Sequence, residues 1–175
     1  MGSNQAEFER IAMPHAPSLL RVARRMSSSA AAAEDLVQET LLSAWRGFHQ
    51  FQPESNIRAW LFRILLNNSY AHGRKLRATP PTTPLVSGSR IVLPVLDDAM
   101  EVSRALQSLE LDHRTVLLLG VVEGFTCREM AEILNVPIGT IMSRLSRARQ
   151  AMRTRLTGRS TRVEYAAAGN LAKEI

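Results

Sequence analysis

The chain is poor in the residues that usually staple small proteins. Cys127 is the sole cysteine among 175 residues, which excludes an internal disulfide framework and a multi-cysteine zinc site. His15, His49, His72 and His113 stand too far apart for a local metal cluster, so no metal or cofactor is expected. No apolar run approaches the roughly 18 residues of a membrane span. The segment Met1–Glu7 has no basic stretch leading into an apolar one, so no secretory signal is read. Ala6 stands where a myristoylation signal at Gly2 needs Ser or Thr. A cytoplasmic chain without membrane contact is the simplest expectation. Phosphate loops and nucleophile–base pairs are also missing, and no enzyme is expected. Strand-like alternation never outlasts helical spacing, which predicts an all-α fold.

Acidic residues are absent from two long stretches. The formal charge is +6, but Lys and Arg against Asp and Glu give −1 over 1–57, +6 over 58–96, −5 over 97–136, +7 over 137–163 and −1 beyond. Two basic blocks separated by an acidic stretch point to an anionic partner gripped at two places. Prolines also cluster: Pro80, Pro81, Pro84 and Pro94 are half of the total, with Ser87-Gly88-Ser89 among them. Residues 78–97 therefore read as a linker, on which Ile91-Val92-Leu93 could instead pack back. The linker divides a domain at 1–77 from one at 98–157, leaving a tail at 158–175 that is either disordered or a further helix.

In the first domain, residues 5–26 read as helical with a break at Pro14 and Pro17. After the N-cap candidates Ser27-Ser28-Ser29, the residues Leu36, Val37, Thr40, Leu41, Ala44, Trp45 and Phe48 form one helical stripe. The outward row of this helix, Asp35, Gln38, Glu39, Leu42 and Arg46, is either a protein-binding face or an ordinary solvated one. A loop from Gly47 to Pro53 leads into a further helix within 54–76. Six of the nine aromatics fall between Trp45 and Tyr70, beside Arg58, Arg63, Arg74, Lys75 and Arg77. Aromatics in a basic groove suit single-stranded nucleic acid. Trp45, Phe48 and Trp60 are read as core, whereas Phe51 is open to either role.

In the second domain, Ala99–Leu109 and Asp112–Val122 are read as helices. Thr126-Cys127-Arg128-Glu129 has the form of a capping box and opens a short helix. Asn135-Val136 makes a turn, and Pro137 suits the start of a last helix burying Ile138, Ile141, Leu145, Ala148 and Met152. Helix, brief turn and basic helix is the helix-turn-helix pattern. Thr140, Met142, Ser143, Arg144 and Arg147 are its candidate base readers, and Arg149, Arg153 and Arg155 its phosphate contacts. Cys127 is read as a small packed residue, with a redox role as the alternative.

Three groups of residues carry a family resemblance. Glu34-Asp35-Leu36-Val37-Gln38-Glu39-Thr40, Phe51-Gln52-Pro53-Glu54-Ser55-Asn56 and Arg58–Asn67 resemble region 2 of an extracytoplasmic-function (ECF) sigma factor of the sigma-70 family. Leu109–Arg114, Glu123-Gly124-Phe125 and Pro137–Arg149 resemble its region 4. The resemblance implies a non-enzymatic subunit that binds core RNA polymerase and directs promoter-specific transcription initiation. It assigns Asp35, Gln38, Glu39 and Leu42 to the β′ coiled-coil, and the apolar side near Leu117 to Val122 to the β-flap. Phe51, Ser55, Asn56, Arg63 and Asn67 would open the −10 element and hold a flipped base of the single-stranded non-template strand, with Arg74, Lys75 and Arg77 on phosphates. The last helix would read the −35 element as duplex DNA. An anti-sigma factor is implied as a further partner. Two departures stand out: Met142 where many members are basic, and Glu54 where a small residue is common. The competing expectation is a helix-turn-helix regulator with an N-terminal sensor or dimerisation bundle, which leaves the first basic block without a task.

Overall fold

A computed structural model describes the backbone of residues 2–52, 54–78 and 97–171, and the side chains of 4–52, 54–72 and 100–157. Among the described residues the fold is all-helical. Helices α1 (Gly2–Ala12), α2 (Ala16–Met26), α3 (Ala30–Gly47) and α4 (Ile57–Ala78) form an N-terminal bundle. Helices α5 (Asp97–Gln107), α6 (Leu111–Leu117), α7 (Cys127–Leu134) and α8 (Ile138–Leu171) form a second. Of the expected linker at 78–97, residues 79–96 lie outside the described residues, while Ala78 ends α4 and Asp97 begins α5. Over the expected tail α8 continues as backbone helix to Leu171.

Local chemistry sets the boundaries. Pro14 and Pro17 lack the N–H that a continuous helix needs, so a 3-10 turn at Met13–His15 separates α1 from α2. Ser29 caps α3 by accepting from the Ala32 amide at 3.1 Å. The buried Thr40 hydroxyl, in turn, donates to the Leu36 carbonyl at 2.7 Å, so a polar group rides inside the α3 core stripe without penalty. The Thr126–Glu129 capping box is complete: the hydroxyl accepts from the Glu129 amide at 3.2 Å and the carboxylate accepts from the Thr126 amide at 2.8 Å. Asn135, at φ 51°, ends α7 in the left-handed conformation that asparagine tolerates. Arg114 from the last turn of α6 donates to the carbonyls of Gln107 and Leu109, closing the C-terminus of α5.

The buried residues of both bundles form one contiguous apolar cluster. Leu19, Val22, Leu36, Leu61, Phe62 and Leu65 lie in it from the first, and Val116, Leu118, Met130, Ile133 and Ile141 from the second. α4 packs on α7, and α2 on α5 and α6. The two domains are thus docked on each other.

A π-helical turn at Leu118–Val122 follows α6. Its wide closure, Glu123 N–H to Leu118 carbonyl at 3.0 Å, is followed by Gly124 at φ 73°, a conformation that glycine adopts without strain. Together they turn Glu123 and Phe125 inward, and both are buried.

Three expectations need correction. Trp45 belongs to the α3 core stripe by spacing, yet it is exposed, resting edge-on against Phe8 at 5.3 Å between ring centroids. Ile138, expected in the core, is 44% exposed at the first residue of α8, ahead of the buried row that begins at Ile141. Leu117, Leu118 and Leu119 are buried in the second bundle, so the apolar side proposed for the β-flap is reduced to the exposed Val121 and half-buried Val122.

Candidate nucleic-acid and protein interfaces

On α8 a buried row of Ile141, Leu145 and Ala148 fixes which side faces outward. Met142, Ser143, Arg147, Arg149 and Arg153 are exposed, and Thr140 is half-buried. Met142, Ser146, Arg149, Gln150 and Arg153 line one wall of a groove of about 480 Å³ whose other side is Cys127 at the start of α7. The structure therefore adds Ser146 and Gln150 to that wall, in helical register with Met142. Arg144 points the other way, to Asp112 of α6 at 2.5 Å. Among the described residues it is the expected reader held by an ion pair to another helix, while the Ser143 hydroxyl donates within α8 to the Thr140 carbonyl at 3.0 Å. Asp112 also accepts from the Tyr70 hydroxyl of α4 at 3.0 Å. Burial pushes that hydroxyl's pKa up, so Tyr70 remains a donor at neutral pH.

The loop before α4 is held by its own side chains. Ser55 donates to the Gln52 carbonyl at 2.7 Å, and the Asn56 side chain accepts from the Ala59 amide at 3.1 Å, capping α4. Phe51 is half-buried, stacked on Phe48 at 5.9 Å with an 8° interplanar angle and tilted on Trp60 at 5.2 Å. One side of Phe51 thus leans on the core, while it also lines a groove of about 480 Å³ with Asn4, Glu7, Arg10, Ile11, Phe48 and His49. Sequence reasoning singled out none of the four α1 residues, because no local pattern links them to Phe51. Asn67 is exposed on α4. Arg63 donates to the Glu132 carbonyl near the end of α7 at 2.5 Å. The side chains of Arg74, Lys75 and Arg77 lie outside the described residues.

Along α3, Asp35, Gln38, Glu39 and Leu42 are all exposed, as the helical offsets require. Gln38 and Leu42 line a mainly apolar groove of about 810 Å³ with Gln5, Phe8, Glu9, Met13, Leu41 and Trp45. Asp35 and Glu39 lie on the same helix outside the groove, and Glu39 pairs with His72 of α4 at 2.8 Å. An apolar floor with acidic residues around it is ill-suited to DNA and suited to a basic protein surface.

Between the bundles sits a charge cluster that no motif announced. The Glu123 carboxylate is fully buried and accepts from Arg21 of α2 at 2.9 Å and from Arg58 of α4 at 2.8 Å. Burial alone would raise its pKa, but the hydrogen bonds and charges of the two arginines outweigh that and hold it below the usual carboxylate range. Arg58 also lies over the Phe125 ring at 4.3 Å, and Phe125 meets Phe62 edge-on at 5.3 Å. No group of His, Cys, Asp and Glu fit to hold a metal occurs among the described residues. Nor is any helix there long and apolar enough to cross a membrane.

Residues 11–79 match the family model of sigma-70 region 2, and residues 99–152 that of sigma-70 region 4. The ECF RNA polymerase sigma factor SigM of Mycobacterium tuberculosis is 34% identical over 157 residues, covering 86% of this chain and 77% of the relative. EcfG of Rhodopseudomonas palustris is 38% identical over 144 residues, covering 78% and 77%. Among solved structures, the sigma factor RpoE in complex with the anti-sigma factor NepR from Bartonella quintana matches with a TM-score of 0.72 and 32% identity, covering 86% of this chain and 97% of that one. CnrH in complex with the cytosolic domain of CnrY matches at 0.69 and 25%, covering 88% and 90%. With two region models in the expected order and relatives of this extent, the chain belongs to the ECF group of the sigma-70 family of RNA polymerase sigma factors.

Proposed function

We propose a division of labour within promoter-specific transcription initiation, the activity of a sigma factor. Residues 1–77 bind core RNA polymerase and open the −10 element, residues 98–157 read the −35 element, and 78–97 tether the two. The observation that carries this reading is the coexistence of two unlike surfaces. Over 138–157, α8 presents arginines and no acidic residue. The α1–α3 groove is apolar with acids around it. One surface fits DNA and the other a protein.

Asp35, Gln38, Glu39 and Leu42, with Trp45 and Met13 added by the groove, face the polymerase coiled-coil. Ser55, Asn56, Phe51 and Asn67 frame the opened strand. On α8, Thr140, Met142, Ser143 and Arg147 approach base edges and Arg149 and Arg153 phosphates, while Arg144, tied to Asp112, steadies the helix. The relative solved with the anti-sigma factor NepR supports an anti-sigma factor as a further partner. Passing the purified chain over a sizing column with core polymerase tests the reading. Co-elution is expected; a chain that binds duplex DNA but never joins core would be a regulator instead.

Met142 makes a specific prediction. It is 55% exposed near the start of α8, where an apolar side chain can contact a thymine methyl but cannot pair with guanine. Met142→Arg should switch the preference at one position of the −35 element toward guanine, with about 1–3 kcal/mol of discrimination. Competition binding against duplexes varied one position at a time reads this. An unchanged profile would remove Met142 from the readers.

A further inference from the structure

Helix α1 separates two grooves. Phe8 and Ala12, four residues apart, are buried and fix its inward side. Phe8 meets both Trp45 and Phe48 edge-on, at 5.3 and 5.2 Å between centroids. Gln5, Glu9 and Met13 line the apolar groove toward α3, whereas Asn4, Glu7 and Arg10 line the groove beside Phe51. The first groove has a protein partner in the reading above. The second differs in chemistry: an amide, a carboxylate and a guanidinium, spaced three residues apart, share one wall. All three are exposed, and among the described residues no side-chain hydrogen bond or ion pair engages them.

The facing wall is aromatic. Phe51 rests on Phe48 and Trp60 and turns its remaining surface to this cleft of about 480 Å³. An aromatic surface opposite free hydrogen-bonding groups suits an unpaired base, which has a face to stack and edges to be read. In a duplex the faces are covered by neighbours and the pairing edge is occupied. The charges then select among bases. A guanidinium donates in a rigid fork, whereas a carboxylate only accepts. Guanine offers two adjacent donors, N1–H and the N2 amine, beside two adjacent acceptors, O6 and N7. Adenine and cytosine carry a ring acceptor next to their amine, and thymine flanks one N–H with two carbonyls. Each of these would set a lone pair against the second oxygen of Glu7.

The geometry points to a guanine-reading subsite on α1. An unpaired guanine stacks on Phe51, donates N1–H and its amine to the Glu7 carboxylate, and accepts from Arg10 at O6 and N7. The inference rests on the strand-opening reading above and adds to it a base read by a different helix.

The test uses polymerase assembled from the full chain and core, with a randomised promoter library as probe. Wild type should select guanine at one non-template position within or beside the −10 element. Glu7→Ala and Arg10→Ala should each weaken that preference about tenfold, the discrimination of one bidentate pair, and leave the other positions unchanged. Both residues are exposed on α1 and alanine favours helix, so wild-type helicity is expected of both variants. Analogues at the selected position separate the two contacts. Inosine lacks the N2 amine and 7-deazaguanine lacks N7, so each should lower opening by wild type. Glu7→Ala should ignore inosine yet respond to 7-deazaguanine, and Arg10→Ala should do the reverse. The same pattern should persist when the opposite template base is removed, because the guanine is read unpaired. No selected guanine, a preference untouched by either variant, or variants that respond to both analogues as wild type does would each overturn the proposal. Failure of the strand-opening reading would look different: no −10 position would be selected at all, Asn67→Ala would match wild type, and the subsite would fall with it.

Discussion

Replacing Leu42 by arginine is expected to weaken capture of core RNA polymerase by about thirtyfold or more, with the chain still folded. Leu42 is 55% exposed, so its loss leaves no hole in the core. In the assembled polymerase it would be buried with Trp45, Leu41 and Phe8, whose groove supplies the large aromatic and apolar contacts that dominate interfaces. Truncating such an anchor costs about 2 kcal/mol or more, and a guanidinium facing a basic partner adds repulsion. Titrating labelled core polymerase with each variant measures it. Equal affinities would move the protein-binding face elsewhere. Trp45 strengthens the case, because an exposed tryptophan bordering an apolar groove is costly to leave in water.

The second large effect concerns strand opening. Asn67→Ala should melt at the wild-type temperature and yet reduce promoter opening roughly tenfold or more. Its side chain is exposed, so removal costs the fold little. Extruding a base costs a few kcal/mol, which only stacking and hydrogen bonds made in the opened state can offset. Permanganate reactivity of unpaired thymines, with core polymerase present, reads the opened fraction. Asn56→Ala makes the informative contrast. Because Asn56 caps α4 through the Ala59 amide, that change should lower stability by about 1 kcal/mol whatever it does to DNA. Wild-type opening by Asn67→Ala would remove it from the strand-binding surface.

Features written in local chemistry were legible in the sequence. The prolines at 14 and 17 announce the α1–α2 break, Thr126 and Glu129 announce their own capping box, and Asn135 the turn before α8. The outward row on α3 follows from helical offsets alone. What the sequence did not disclose depends on which surfaces meet. Trp45 shares its stripe with buried residues, but the groove between α1 and α3 stays open beneath it. Ile138 keeps the right period one turn too early. Arg144 reads as one more arginine of a basic block until Asp112, 32 positions earlier, is brought beside it. Glu123 lies about 65 residues from Arg58 and about 100 from Arg21, too far for any spacing rule. The residues beside Phe51 on α1 are hidden for the same reason.

The measurement that bears most directly on the central claim is transcription in vitro from a randomised promoter library, using purified core polymerase with and without the chain. Transcripts that depend on the chain, start at one register, and share two conserved elements roughly 20 base pairs apart are the predicted result. A library bound by the chain yet transcribed no better than by core alone would contradict the account.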